Sequence, residues 1–241
     1  MKLPVQAVGT AERPGESHAE RLLRPLLLGA AGSYGDASVA HFADGLYKQL
    51  VAGTEIAPDF RALAYGLAAE SGDRAKYVWL RGEFEKASDA AQLRELSDAL
   101  TSVETAELMD ETLRYALSDK VRSQDTVYMI VDLSRSSDAG LRAAWAFVQD
   151  NFLAIARHGG GVGAAGAGMS TLINRVGSQF GSEAAVREVE ALYERFKDQG
   201  LVERVIAQTK ESIRANVRWV ERNKADTCAW LRRAVAGLED G

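Results

Sequence analysis

The chain has 241 residues, of which 46% are hydrophobic and 26% charged, with a formal net charge of -5 and a single cysteine. Such a chain is neither disordered nor short of core-forming material, and it can build one large domain or two small ones. The acidic balance gives no general attraction to nucleic acid or anionic lipid; lone Cys228 excludes an intrachain disulfide framework and fits a reducing, cytoplasmic setting; and no apolar run nears the roughly 20 residues of a membrane span.

Residues 1–14 are expected as an extended or disordered leader, and residues 15–241 as a single domain. Met1 to Glu20 holds two prolines and several charges but no apolar core followed by small residues, so it does not read as a signal peptide. Helix starts are signalled after Gly35-Asp36, at Ala57-Pro58-Asp59, at Ser71-Gly72-Asp73 and at Ser88-Asp89, where a side-chain oxygen or an N1 proline suits a helix N-terminus. Between them Val39, Phe42, Ala43, Leu46 and Leu50 keep the helical period. Thr101 with Glu104 has the spacing of a capping box, and Leu108, Met109, Leu113, Ala116 and Leu117 are again helical in period.

Ser118 to Asp125 is a polar connector. As a plain turn, Ser123 or Asp125 would cap the next helix and Arg122 would pair with a nearby acid; as a functional corner it would face a cavity. Thr126 to Val131 is β-branched, but nothing nearby offers a hairpin partner, so helix is expected there too. Ser137-Asp138 opens a further helix that runs into the glycine-rich stretch His158 to Gly168, which is expected to be a loop because glycine at this density disfavours helix. Gly181-Ser182-Glu183 starts the next, with Val186, Val189, Tyr193 and Phe196 in helical period. Near the end, Lys210, Arg214, Arg218 and Arg222 recur at four-residue steps, while Val202, Val205, Ile206, Ile213, Val217 and Val220 fall on another face. This is a long two-faced helix, whose cationic side, carrying Glu211 and Glu221 as well, reads on physics alone as solvated surface.

The sum is about eleven helices with a paired spacing of about 35 to 40 residues, the size of a helical-hairpin repeat. The expected fold is therefore all-α, a right-handed α-superhelix of HEAT/ARM-like solenoid type. Catalytic motifs are missing from this reading. The glycine-rich stretch lacks the preceding strand and the Gly-Lys-Ser/Thr ending of a phosphate loop. His18, His41 and His158 are far apart, Cys228 has no histidine near it in sequence, and no Gly-x-Ser-x-Gly elbow occurs.

Four segments stand in order: Ile56 to Tyr65, Leu113 to Asp125, Ala144-Trp-Ala-Phe-Val-Gln-Asp-Asn151, and Glu211-Ser-Ile-Arg-Ala-Asn-Val-Arg-Trp219. Together they resemble the C-terminal helical domain of zinc aminopeptidases of the puromycin-sensitive and endoplasmic-reticulum aminopeptidase type, and Arg21-Leu-Leu-Arg24 to Gly35-Asp36 resembles the same domain further upstream. The resemblance runs from about Gly15 to Arg222. It implies a bowl of paired HEAT-like helices that closes over a separate catalytic domain, walls an internal cavity and contacts the distal part of a bound peptide. The zinc-binding and exopeptidase motifs of the family belong to domains absent from this sequence, and the first helices of the C-terminal domain are absent too. The resemblance thus implies no catalytic residue, no metal and no cofactor in this chain, zinc being expected only in the absent catalytic domain.

The implied partners are that catalytic domain, in cis or as a separate chain, and a peptide, with self-association possible at the uncapped solenoid end. Arg122, Arg214 and Arg218 are the candidate donors to a peptide carboxylate, since a guanidinium can meet it bidentately, with Gln124 and Asn216 as neutral donors. Lys210 and Arg222 are expected as surface charges. The alternative reading is a stand-alone α-solenoid that binds a protein partner.

Overall fold

Side-chain oxygens start most of the helices, at the places the sequence marks. The computed structural model describes residues 8–11, 13–158, 162–199 and 201–239, with side chains described except at 162–167 and 237–239. Ser17 and Glu20 form a reciprocal capping box ahead of α1 (His18–Ser33). Asp36 accepts from the amides of Ser38 and Val39 to open α2 (Ala37–Val51). Pro58 heads a short 3-10 turn, Pro58–Phe60, that leads into α3 (Arg61–Glu70). Asp73 caps α4 (Arg74–Lys86) and Asp89 caps α5 (Ala90–Leu100). Then follow α6 (Ala106–Ala116), α7 (Ser123–Ser136), α8 (Asp138–His158), α9 (Val162–Gly177), α10 (Glu183–Phe196) behind its Ser182 cap, a 3-10 turn Lys197–Gln199, and the long α11 (Glu203–Glu239). Among the described residues there are eleven α-helices and no strand, and no helix is long and apolar enough to cross a membrane.

Three local expectations need correction. Thr101 does not cap a helix N-terminus: it ends α5, its hydroxyl donating to the carbonyls of Ser97 and Asp98 at 3.0 Å, and Thr105 caps α6 instead by accepting from Leu108 N. A threonine hydroxyl reaches back to its own helix when its backbone is still helical, and Thr101 is. Neither Ser123 nor Asp125 caps α7, which has no side-chain cap; Arg122 holds the N-cap position and Asp125 is turned onto its guanidinium. The glycine-rich stretch is not a loop throughout. Residues 159–161 lie outside the described residues, but α9 begins at Val162 and is helical through Gly163, Gly166 and Gly168. Its second half buries Met169, Leu172, Ile173 and Val176, and that packing carries a first half of weak propensity. Of the expected leader, residues 1–7 and 12 are outside the described ones; Val8 is buried, and its carbonyl accepts from Arg24 Nε at 3.2 Å.

The helices fall into two compact units, residues 1–143 and 144–241. In the first, α1 packs on α3, α3 on α5 and α5 on α7, while α2 and α4 pack against the odd-numbered helices beside them. Consecutive helices from α1 to α5 thus pack on one another, and each odd-numbered helix also packs on the next odd-numbered one. Leu28, Val39, Ala43, Leu46, Leu63 and Ala64 form the core of its first turns. Further along, the buried Thr112 hydroxyl lies 3.0 Å from the Tyr77 hydroxyl and 3.1 Å from the Leu100 carbonyl, so α6 is tied to α4 and α5 by polar contacts inside an apolar layer. In the second unit α9 and α10 both pack on α11. Trp145 stands edge-on to Phe180 and donates to Glu188 at 2.8 Å, and Phe152 stacks on Phe196 with ring centroids 4.0 Å apart.

Two tests of this packing follow. A methyl on Gly177, at the end of α9, would come within 2.8 Å of Thr209 Cγ2 on α11, with Trp145 and Val189 closing the other sides. Gly177→Ala should therefore cost about 1–3 kcal/mol by overpacking, and Gly177→Ala with Thr209→Ser should recover most of it, as read by thermal denaturation. Asp44 on α2 accepts from Lys48 and from Lys76 of α4, each at 2.8 Å, and these ammoniums hold its carboxyl down at about 2. A depressed carboxyl stabilises the fold above its unfolded pKa of about 3.9 and loses that contribution as pH falls toward its folded value. Asp44→Asn should flatten the acid-side fall of the melting temperature in that window, by less than about 1 kcal/mol because the pair is partly exposed.

Candidate functional site

Where α4 ends and α7 begins, the first unit leaves a cleft of about 510 Å³. Its floor is apolar, from Phe84, Ala87, Ala90 and Leu93, and its rim carries Glu85, Arg94, Lys120, Arg122, Asp125 and Tyr128. The turn from α4 to α5 is set by the Asp89 carboxylate, which accepts from Gln92 N at 2.9 Å. The other wall is the connector from α6 to α7. The Ser118 hydroxyl donates to the Tyr115 carbonyl at 2.7 Å, Val121 is buried as an anchor, and the buried Thr126 hydroxyl donates to the Ala116 carbonyl at 2.7 Å. Held at Val121 and Thr126, the connector presents Lys120 and Arg122 to the cleft.

The charges there are unequally matched. Arg122 Nε donates to Asp125 at 2.7 Å. Arg94 bridges Asp98 at 2.9 Å and Asp132 at 3.3 Å, and burial nonetheless pushes the Asp98 carboxyl up. Glu85 accepts from the Tyr115 hydroxyl at 3.4 Å, and burial raises the pKa of that phenol, which stays neutral. Lys120 is the exposed cation of the rim with no ion pair among the described residues. Lined by three cations and two carboxylates beside apolar side chains, the cleft keeps one ammonium, Lys120, without an ion pair among the described residues, which suits an anionic group attached to an apolar one. Among the described residues no three His, Cys, Asp or Glu side chains converge to hold a metal ion.

Arg122 is among the residues lining the cleft and pairs with Asp125, the acid pairing of the plain-turn reading, whereas Gln124 is exposed on the first turn of α7 and is not among the lining residues. In the second unit, Asn216 is already engaged: its amide donates to the carbonyls of Ser178 and Phe180, both at 2.9 Å, closing the open end of α9 against α11. Arg214 lies 3.8 Å from Glu183 of α10, and Arg218, one turn on, is exposed. Lys210, expected as a surface charge, is partly exposed and paired with Glu190 of α10. Stripes at four-residue steps show which residues share a face, not which of them the neighbouring helix covers.

Sequence reasoning missed Lys120 and Arg94. Lys120 stood inside the polar connector and carried the only available signal, a cation within a turn rich in hydrogen-bonding residues. Arg94 belongs to a different helix, and only the packing of α5 beside α7 brings the two together.

Compared with known proteins, residues 4–215 match the family model of the ERAP1-like C-terminal domain. The chain is 24% identical to "Aminopeptidase A" of Gloydius brevicauda over 221 residues, covering 91% of this chain and 23% of that protein. It is 26% identical to "Aminopeptidase M1" of Arabidopsis thaliana over 225 residues (91% and 25%), and 27% identical to "Aminopeptidase N" of Rattus norvegicus over 194 residues (78% and 20%). The chain thus spans at most about a quarter of the length of these relatives.

Asn216 and Arg218 separate a structural role from a surface one. Asn216→Ala leaves two carbonyls without their donor and should cost about 1–3 kcal/mol, whereas exposed Arg218→Ala should stay within about 0.5 kcal/mol. Thermal or urea denaturation of the two variants checks this.

Proposed function

The chain belongs to the ERAP1-like C-terminal domain family, and from that premise we propose that it walls the peptide chamber of a zinc aminopeptidase and holds the distal, carboxylate end of the substrate. The observation that carries this reading is the cleft between α4 and α7, where unpaired Lys120 and neighbouring Arg122 stand over an apolar floor. A peptide C-terminus offers the matching chemistry, a carboxylate next to a side chain. Lys120 supplies a point charge, and the Arg122 guanidinium, once turned from Asp125, supplies a planar pair of donors. Phe84 and Leu93 would cover the terminal side chain. The chain's part is binding and positioning; the hydrolytic chemistry would belong to the zinc-bearing domain of such an enzyme.

Titration calorimetry with one peptide in free-carboxylate and C-terminally amidated forms tests this. The free form should bind at least about tenfold more tightly, since a charge-assisted hydrogen bond is worth about 1.5–3 kcal/mol. Lys120→Met or Arg122→Gln should remove most of that difference while leaving the amidated peptide unaffected. Equal binding of the two forms would overturn the carboxylate role.

A further inference from the structure

The helix α11 is longer than the surface that covers it. Its inner face buries Ile206, Thr209 and Ile213 against α9 and α10, and beyond Ile213 no described residue of the helix is buried. The same face nevertheless continues. At steps of three and four, Asn216, Val220, Asn223, Thr227, Trp230 and Ala234 follow Ile213, with Trp219, Leu231 and Val235 alongside. Trp219 is 57% exposed and Trp230 60%, and Val220, Leu231 and Val235 are exposed as well. Large aromatic side chains on a helix that continues a packed face are the mark of a surface awaiting cover. The family match ends at residue 215, within this helix.

What would cover it is constrained by charge. Around the stripe, Arg218, Arg222, Lys224, Arg232 and Arg233 outnumber Glu221 and Asp226, so two such tails laid against each other would bring like charges together. The opposite case exists in the same chain. Between α1 and α3 lies an open groove of about 590 Å³ whose walls include Leu22, Leu26, Leu63 and Leu67. Its charged lining residues are both acids, Asp59 and Glu70, with no cation among the lining. Leu26 is 69% exposed, and Leu22 is half exposed. An apolar groove with an acidic rim is the complement of an apolar helix with a basic rim, and an amphipathic helix in a groove is an established mode of recognition.

We propose that the tail of α11, residues 217–236, docks into the α1–α3 groove of a second copy of this chain. The contact is heterologous, tail to groove, so each copy keeps one open tail or groove unless two copies exchange tails reciprocally. Two half-exposed tryptophans, three aliphatic side chains and the groove leucines would bury on the order of 1,000 Å², the low end for a specific interface, so the association should be weak and concentration-dependent.

Sedimentation velocity of the full chain over a micromolar concentration series tests this, with Leu26→Asp disabling the groove and Trp230→Asp disabling the tail. The wild-type chain should form dimers or longer assemblies that weaken in high salt. Each variant alone should be monomeric or at least tenfold weaker, and an equimolar mixture of the two should form a one-to-one complex and nothing larger. Both positions are exposed, so helical circular dichroism should be unchanged; Asp59→Lys is the second groove variant if Leu26→Asp unfolds. A wild-type chain that stays monomeric would overturn the proposal. So would assembly of Leu26→Asp alone, which would mean that tails pair with tails.

Discussion

Short helices must be covered on more than one side, and the arrangement of this chain follows from that constraint. A helix of ten to fourteen residues is marginal by itself in water, so its stability comes from burying a wide apolar stripe against neighbours. In the first unit each odd-numbered helix meets the next odd-numbered one as well as an adjacent even one. Residues such as Leu28, Ala64, Leu96, Leu100 and Ile130 reach zero exposure as a result. Few polar groups enter that interior, and its buried threonines are bonded, as with Thr112 beside Tyr77 and Thr126 under Ala116. The ties fix the height and angle of one helix against the next more tightly than apolar contact alone, because a buried hydroxyl without its partner costs a hydrogen bond's desolvation.

The same constraint accounts for the two places where the chain looks outward. At the α4–α7 cleft, the connector is pinned at Val121 and Thr126, so the residues between and beside them cannot collapse onto the core and Lys120 is left at the rim. Among the described residues Lys120 has no ion pair, while Arg122 has Asp125, and Arg94 has Asp98 and Asp132. Elsewhere among the described residues, apolar side chains stand uncovered. Leu22 and Leu26 stand over an open groove at α1, and Trp219 and Trp230 continue the covered face of α11 beyond its cover.

Helix starts were legible in the sequence because an N-cap is a local device. Asp36, Asp73, Asp89 and Ser182 each bond an amide two or three residues on, and the signal lies within one turn. Where the deciding partner is distant in sequence, local reading failed. Thr101 matched a capping pattern, yet its hydroxyl serves the helix before it. The glycines at 163, 166 and 168 argued for a loop, and packing downstream in α9 overrode them. The roles of Asn216 and Lys210 depend on Ser178, Phe180 and Glu190, from 20 to 38 residues away, and no spacing within α11 announces such partners. The connector of Arg122 was legible as polar, but the cleft it lines was not, because Phe84, Leu93 and Arg94 come to it from other helices.

The central claim is that the α4–α7 cleft receives the carboxylate end of a peptide. Hydrogen–deuterium exchange of the chain, with and without a saturating free-carboxylate peptide, tests it directly, because backbone amides report where a ligand orders the chain. Slowed exchange concentrated at residues 84–97 and 117–128 is the result expected, and it should vanish with the amidated peptide. Saturated binding with no protection in those segments, or with protection confined to α11, would contradict the claim.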